Sequence, residues 1–180
     1  MSDDPTRVMV DIETLGTEPG AAILSVGAVT FDTDGVDEDD GFYAEVNLGS
    51  NEAAGLSFDA DTLEWWLGQD EEAKTVLTGG EPLGDVLTVF AEWVDGIDAD
   101  EVWANSPTFD CRLLQAAFDA VDVDAPWEYY EERDYRTLKN LPVDDVFPKN
   151  DDAVPHDAFD DAVVQARTAS AVLSALEGDE

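Results

Sequence analysis

The sequence predicts an α/β domain: a mixed central sheet, antiparallel through its first three strands and parallel after them, flanked by helices. Three observations carry that expectation. Residues 8–14 and 22–31 are apolar runs of strand length, separated by a loop containing Gly and Pro. A third run, 41–47, follows the turn Asp32-Thr33-Asp34-Gly35, and strands so close in sequence pair antiparallel. Helical periodicity then occupies much of 59–94 before a strand at 101–105, which a crossover returns parallel to the first. The length suits one domain over residues 7–176, with 1–6 and 177–180 expected to fray.

The first strand sorts its side chains by alternation. Val8, Val10 and Ile12 point one way; Met9, Asp11 and Glu13 point the other. Apolar residues on both faces mark it as central. Asp11 and Glu13 then lie side by side at the end of a buried strand, where two ionised carboxylates are costly and repel one another. A divalent cation removes both problems, and hard oxygen ligands suit Mg²⁺ or Mn²⁺. An acidic strand end facing water is an equal alternative from this strand alone.

Charge is the most unusual property. Forty-four acidic side chains stand against eight basic ones, for a net charge of −36. Three explanations compete: an acidic mimic of nucleic acid, a calcium buffer, or a surface adapted to molar salt. No EF-hand pattern is present, which removes the second. The acids are spread along every expected loop and helix face, which favours the third and points to a halophile. Five Trp, four Tyr and eight Phe exclude a disordered acidic polypeptide. No apolar run is long enough to span a membrane, and the N-terminus does not read as a signal peptide. The default expectation is a soluble cytoplasmic protein. A single cysteine, Cys111, excludes an internal disulfide and reads as a buried small residue.

Further along, Asp59 is placed to cap a helix whose Leu63, Trp66 and Leu67 share a face. The Trp65-Trp66 pair reads as core, or as a platform on which a nucleobase stacks. Helical stretches follow at 71–77 and 82–94, the second with Val86, Val89, Phe90 and Trp93 as inner residues. After the strand at 101–105, Ser106-Pro107 reads as a helix start, which puts Asp110 in the first turn beyond a strand end. Residues 126–141 are aromatic; Tyr129, Tyr130, Arg133, Tyr135 and Arg136 suit phosphate or base contact as well as packing on the core. Residues 142–155 form a loop rich in Asp and Pro. Asp157 caps a last helix reaching about 176, with Ala158, Ala162, Val163, Ala166, Ala169 and Leu173 inside. The only histidine, His156, then sits just before this helix and Asp161 in its second turn.

Taken together, these segments resemble the DEDDh exonucleases of the DnaQ-like family, which have a ribonuclease H-like fold and remove nucleotides from 3′ ends. The family's Asp-x-Glu is matched by Asp11 and Glu13, its Asn and Phe-Asp motif by Asn105, Phe109 and Asp110, and its His and Asp five residues later by His156 and Asp161. The order is right and the motifs span residues 11 to 161. Thr62-Leu63-Glu64-Trp65-Trp66 and Tyr135-Arg136-Thr137-Leu138-Lys139 are similar to a small stand-alone subgroup that includes phage exonuclease A and a mycobacterial exoribonuclease. The scarcity of basic residues departs from what a nucleic-acid enzyme usually shows.

The resemblance implies a two-metal phosphodiesterase. Asp11 would bridge two Mg²⁺ or Mn²⁺ ions, Glu13 and Asp161 complete one site, and Asp110 hold the other. His156 would be the general base. Thr14 and Leu15 would grip the terminal nucleotide, with Leu15 wedged on its base, and Asn105, Phe109, Trp66 and Arg136 would complete the substrate contacts. The implied partner is the 3′ end of single-stranded RNA or DNA, the product a nucleoside 5′-monophosphate, and a homodimer is admitted. Two rivals remain: a phosphohydrolase of short oligonucleotides on the same scaffold, and a non-catalytic acidic mimic, which has no use for His156 at that spacing.

Overall fold

The computed structural model describes residues 5–142, 148, 154 and 156–177. Five strands form one sheet: β1 (Arg7–Thr14), β2 (Ile23–Phe31), β3 (Val36–Glu45), β4 (Glu101–Ala104) and β5 (Glu132–Asp134), in the order β3-β2-β1-β4-β5. β1, β2 and β3 pair antiparallel; β4 pairs parallel with β1 and β5 parallel with β4. The mixed sheet expected from the sequence is therefore present, with β1 at its centre.

Alternation along β1 sets two cores. Val8, Val10 and Ile12 join the larger one, which α3 (Leu83–Ile97) and α4 (Asp110–Val121) cover with Leu83, Val86, Leu87, Phe90, Leu113, Leu114 and Phe118. Met9 joins Val29, Phe31 and Trp103 beneath α6 (Ala158–Glu177). Each fully buried Val, Ile or Met contributes about 1.5–3 kcal/mol. That burial holds the strand in place against the cost of the two carboxylates at its end.

The close approach of α6 has a specific cause. A Cβ on Gly27 would lie 2.2 Å from the backbone carbon of Ala158, so only glycine lets the helix start cross β2 there. Gly27 is the register partner of Asp11. Asp157 caps α6, accepting from the amides of Phe159 and Asp160. Asp161 thus lies in the first turn of α6, not the second as the sequence suggested.

Other expectations shift. β3 starts at Val36, five residues early, because Asp37, Glu38, Asp39 and Asp40 are exposed on an edge strand and need no burial. Asn47 caps a short α1 (Leu48–Ala53) that the sequence reading did not foresee. α2 (Ala60–Leu67) is capped by Asp59 as expected, but Trp66 alone of its expected inner trio is buried, and Leu63 and Leu67 are exposed. The helix expected at 71–77 is a short 3-10 turn, Ala73–Leu77. Val89 is exposed, because the inner stripe of α3 runs through Val86, Leu87, Phe90 and Val94. Ser106 does not begin α4: its carbonyl closes a turn onto the amides of Phe109 and Asp110, and Asp110 is the first helical residue. Thr6, in the segment expected to fray, is bonded in both directions to Asp100. Residues 1–4 and 178–180, and most of the 142–155 loop, lie outside the described residues. No helix among the described residues is long and apolar enough to cross a membrane.

Candidate functional site

The carboxyl end of β1, the start of α4 and the start of α6 meet at one place. Parallel pairing of β1 with β4 brings the chain that follows β4, Asn105 to Asp110, beside the end of β1. The Gly27 crossing brings the first turn of α6 onto the same end. Glu13, His156 and Asp161 each offer a ligand atom within 4.8 Å of the others. Asp11 and Asp110 adjoin this trio closely enough for their charges to be felt: Asp110, Glu13 and Asp161 all repel a charge on Asp11.

The electrostatics are those of buried carboxyls crowded together. Burial, with repulsion from Asp110, Glu13 and Asp161, holds the Asp11 carboxyl well above the ordinary carboxylate range. Glu13 is pushed up to about 8 by burial and then by Asp161, Asp157 and Asp110. Asp110 is pushed up to about 7 by burial, against backbone amides and the Arg136 charge. Asp161 is raised by burial, with His156 acting in the opposite direction. Four carboxyls raised together in one place form a group whose ionised state a nearby cation would favour.

Hydrogen bonding agrees. Among the described residues, four buried side-chain atoms lack a partner: Ser25 Oγ, Asn105 Oδ1, Asp110 Oδ2 and Gln165 Oε1. Asp110 belongs to the cluster, Gln165 bonds to Asp11, Asn105 leads into Asp110, and Ser25 is the register partner of Glu13. Buried polar atoms are nearly always satisfied. Their concentration here fits a ligand-bearing site, and an all-oxygen carboxylate set fits hard divalent cations such as Mg²⁺ or Mn²⁺. Asp11, Glu13, Asp110 and Asp161 are the residues that would hold them.

His156 takes a left-handed backbone conformation, φ 63°, just ahead of α6. Its ring meets Trp65 edge-on at 4.8 Å and Trp66 at 6.3 Å. The two tryptophans divide the readings open to them: Trp66 is core, as its place on the inner face of α2 predicts, and is not the substrate contact that the resemblance implies. Trp66 is 1% exposed, its Nε1 donating to the Thr14 carbonyl at 2.9 Å, so it anchors the end of β1 and offers no face to a base. Trp65 is 44% exposed and walls the histidine. Leu15 is likewise 1% exposed in the core, which corrects its expected role as a wedge. The Thr14 side chain turns to the Gly16 carbonyl, 2.6 Å away. Phe109 packs partly buried against the larger core, and Arg136 donates to the Asn105 carbonyl at 3.2 Å. Of the other aromatic-segment residues, Tyr135 is buried in the smaller core, Arg133 is bound to Glu101, and Tyr129 and Tyr130 are exposed. Gln165, whose Nε2 donates to Asp11 Oδ1, was missed by sequence reasoning; its one signal is its place a helical turn beyond Asp161.

Comparison with known proteins agrees with this geometry. The 3'-5' exoribonuclease Rv2179c-like domain matches residues 6–173. Curated protein sequences give no match. Among solved structures, the nuclease domain of 3'hExo, a DEDDh family member bound to rAMP, superposes with a TM-score of 0.60 at 11% identity, covering 99% of this chain and 94% of that one. Cell-death related nuclease 4 gives 0.63 at 15% identity over 97% of this chain. Exonuclease I of E. coli, in complex with an oligonucleotide, gives 0.56 at 16% identity over 98% of this chain. The chain spans 64% of the length of the cell-death nuclease and 41% of exonuclease I. At these identities the likeness is one of fold: a ribonuclease H-like sheet shared with DEDDh exonucleases.

Proposed function

The chain belongs to the Rv2179c-like 3'-5' exoribonuclease family, and from that premise we propose that it is a metal-dependent 3′-to-5′ exonuclease of single-stranded nucleic acid, releasing nucleoside 5′-monophosphates. The observation that carries the reading is the meeting of Asp11, Glu13, Asp110, Asp161 and His156 at one end of the sheet, with every one of the four carboxyls raised.

Two divalent cations, when bound, supply Lewis-acid charge to the phosphate and to the leaving oxygen. The four carboxylates hold that charge at the end of β1. His156 takes the proton of the attacking water; the water oxygen bonds to phosphorus as the bond to the 3′ oxygen breaks, and that oxygen is protonated from solvent. The T-shaped contact with Trp65 orients the imidazole, and the exposed part of Trp65 is the aromatic surface available to a terminal base. The family description favours RNA as the substrate to test first. The net charge of −36 we read as adaptation to molar salt.

The test is digestion of matched 3′-labelled RNA and DNA strands and of a dinucleotide, with Mg²⁺, with Mn²⁺ and with EDTA. Stepwise shortening that EDTA stops and Asp11→Asn abolishes is the expected result. His156→Ala should slow cleavage by about 10²–10⁴-fold, the usual size of general-base catalysis. Cleavage that persists in excess EDTA refutes the reading, and cutting of the dinucleotide alone would move the assignment to a short-oligonucleotide phosphohydrolase.

A further inference from the structure

The proposed substrate is a polyanion, and the chain offers it only eight basic side chains. Seven lie among the described residues. Five of these are tied to carboxylates: Arg7 and Arg133 to Glu101, Lys74 to Glu71, Arg112 to Glu132 and Arg167 to Glu38. The other two, Arg136 and Lys139, form no ion pair among the described residues.

Both belong to one short element. α5 (Tyr135–Leu138) carries Arg136, and Lys139 caps its C-terminal end, three residues on and therefore on a neighbouring surface. The element follows β5, whose Asp134 is the register partner of Ala104. This sets α5 beside the connection from β4 to Asp110. Arg136 is exposed, and its Nη2 bond to the Asn105 carbonyl at 3.2 Å occupies one of five guanidinium N–H donors. Its charge is felt at Asp110. Lys139 Nζ lies 5.1 Å from the Tyr135 ring centroid, a contact that positions the ammonium, which pairs with no carboxylate among the described residues.

An enzyme that shortens a strand from its 3′ end places the last linkage at the carboxylates. Every remaining phosphate then lies on the 5′ side of that linkage. We propose that α5 is the phosphate ledge of the molecule: Arg136 and Lys139 bind backbone phosphates on the 5′ side of the scissile bond, and they are the main contacts by which so acidic a chain holds a polyanion. The proposal rests on the exonuclease reading. A ledge of two contacts also predicts a weak salt dependence of binding. Each phosphate neutralised on a single strand contributes about 0.7 to the slope of log affinity against log salt, so two contacts contribute only about 1.4.

The experiment measures binding of a short fluorescent single strand to the cleavage-deficient Asp11→Asn variant over a KCl series, at fixed Mg²⁺. Arg136→Gln and Lys139→Gln should each weaken binding and each change the salt slope by about 0.7 relative to Asp11→Asn alone, and by about 1.4 together. Arg136→Lys, which keeps the charge, should retain the slope, and Arg167→Gln, paired with Glu38, should leave slope and affinity as they were. Melting temperatures of the variants identify any that misfold. If the double variant binds with the slope and affinity of Asp11→Asn alone, the ledge is refuted and the exonuclease reading stands. If Asp11→Asn binds no strand and the unmodified chain cleaves none, the exonuclease reading fails and the ledge falls with it.

Discussion

Gln165 Nε2 donates to Asp11 Oδ1 at 2.7 Å, so α6 steadies the central carboxylate of β1 as well as supplying Asp161. The bond favours the ionised form of Asp11 against burial and three neighbouring acids. A hydrogen bond to a charged group contributes about 1.5–3 kcal/mol. Gln165→Leu should therefore raise the Mg²⁺ concentration for half-maximal cleavage by about 10–100-fold, the range seen when the partner of a metal ligand is removed. Calorimetric Mg²⁺ titration of the nucleic-acid-free protein should show the same loss. Unchanged Mg²⁺ affinity would reduce Gln165 to packing.

Gly27 should be as sensitive as any carboxylate, though it carries no chemistry. An added methyl meets the backbone of Ala158 and the amide of Phe159 at 2.2–2.3 Å, and backbone cannot step aside as a flexible side chain can. Gly27→Ala must push the first turn of α6 away from β2, carrying Asp161 and the loop that holds His156 with it. Overpacking of this kind costs about 1–3 kcal/mol. The expected outcome is a lower melting temperature with a larger fall in turnover than that destabilisation explains. A variant that melts lower yet cuts at full rate would show that α6 tolerates the shift.

How much of this was legible in the sequence follows from what each residue answers to. Asp11 and Glu13 were readable because strand alternation is local and puts both on the face opposite Val10. The caps at Asp59 and Asp157 were readable because capping is decided within three residues. The orientation of the tryptophan pair was not: neighbours on one helix differ only in what lies across from them, and the Thr14 carbonyl that selects Trp66 is far away in sequence. Gln165 sits among alanines and looks like any polar helix residue until β1 is set beneath it. β5 reads Glu132-Arg133-Asp134, three charged residues with no strand signature, and forms because β4 offers it an open edge. Local rules thus reach most of the elements and the Asp11–Glu13 pair, the family resemblance adds Asp110, Asp161 and His156 as expected ligands and base, and contacts across the sheet decide the support around them.

The metal-free protein should lose stability as pH rises. Glu13 and Asp110 have folded-state pKa values pushed up to about 8 and about 7, and Asp11 and Asp161 are also raised. A carboxyl with a raised pKa holds its proton in the folded chain at pH values where the unfolded chain has released it. Stability then falls as pH climbs from the unfolded value, about 4, toward the folded one. In EDTA the melting temperature should drop between about pH 5.5 and 8, a window above the titration of ordinary surface carboxylates. Saturating Mg²⁺ should abolish most of the drop, since the ion binds the ionised folded form. Asp11→Asn, which removes one charge, should flatten the slope in EDTA. A melting temperature that rises across the window without metal would contradict the cluster.

Salt should act on this chain in the sense opposite to its effect on an ordinary nuclease. Polyanion binding normally weakens steeply as salt rises, because counterions are released from the phosphates. With a net charge of −36 and most described basic residues already paired, little such release is on offer. Acids are instead exposed in runs, as at Asp37 to Asp40 along the sheet edge. At about 0.01 M salt the screening length is ~30 Å, and these carboxylates repel each other and the incoming strand. At about 1 M it falls to ~3 Å, and only groups at the site itself are felt. Loss of that repulsion should stabilise the fold and favour substrate approach together. Melting temperature and cleavage rate, measured at fixed Mg²⁺ as KCl goes from tenths of molar to molar, should both rise. A rate that peaks near 0.1 M and decays above it, with a flat melting temperature, would remove salt adaptation as the reason for the charge. The acids would then need another partner, and a basic protein captured by an acidic face would be the first to test.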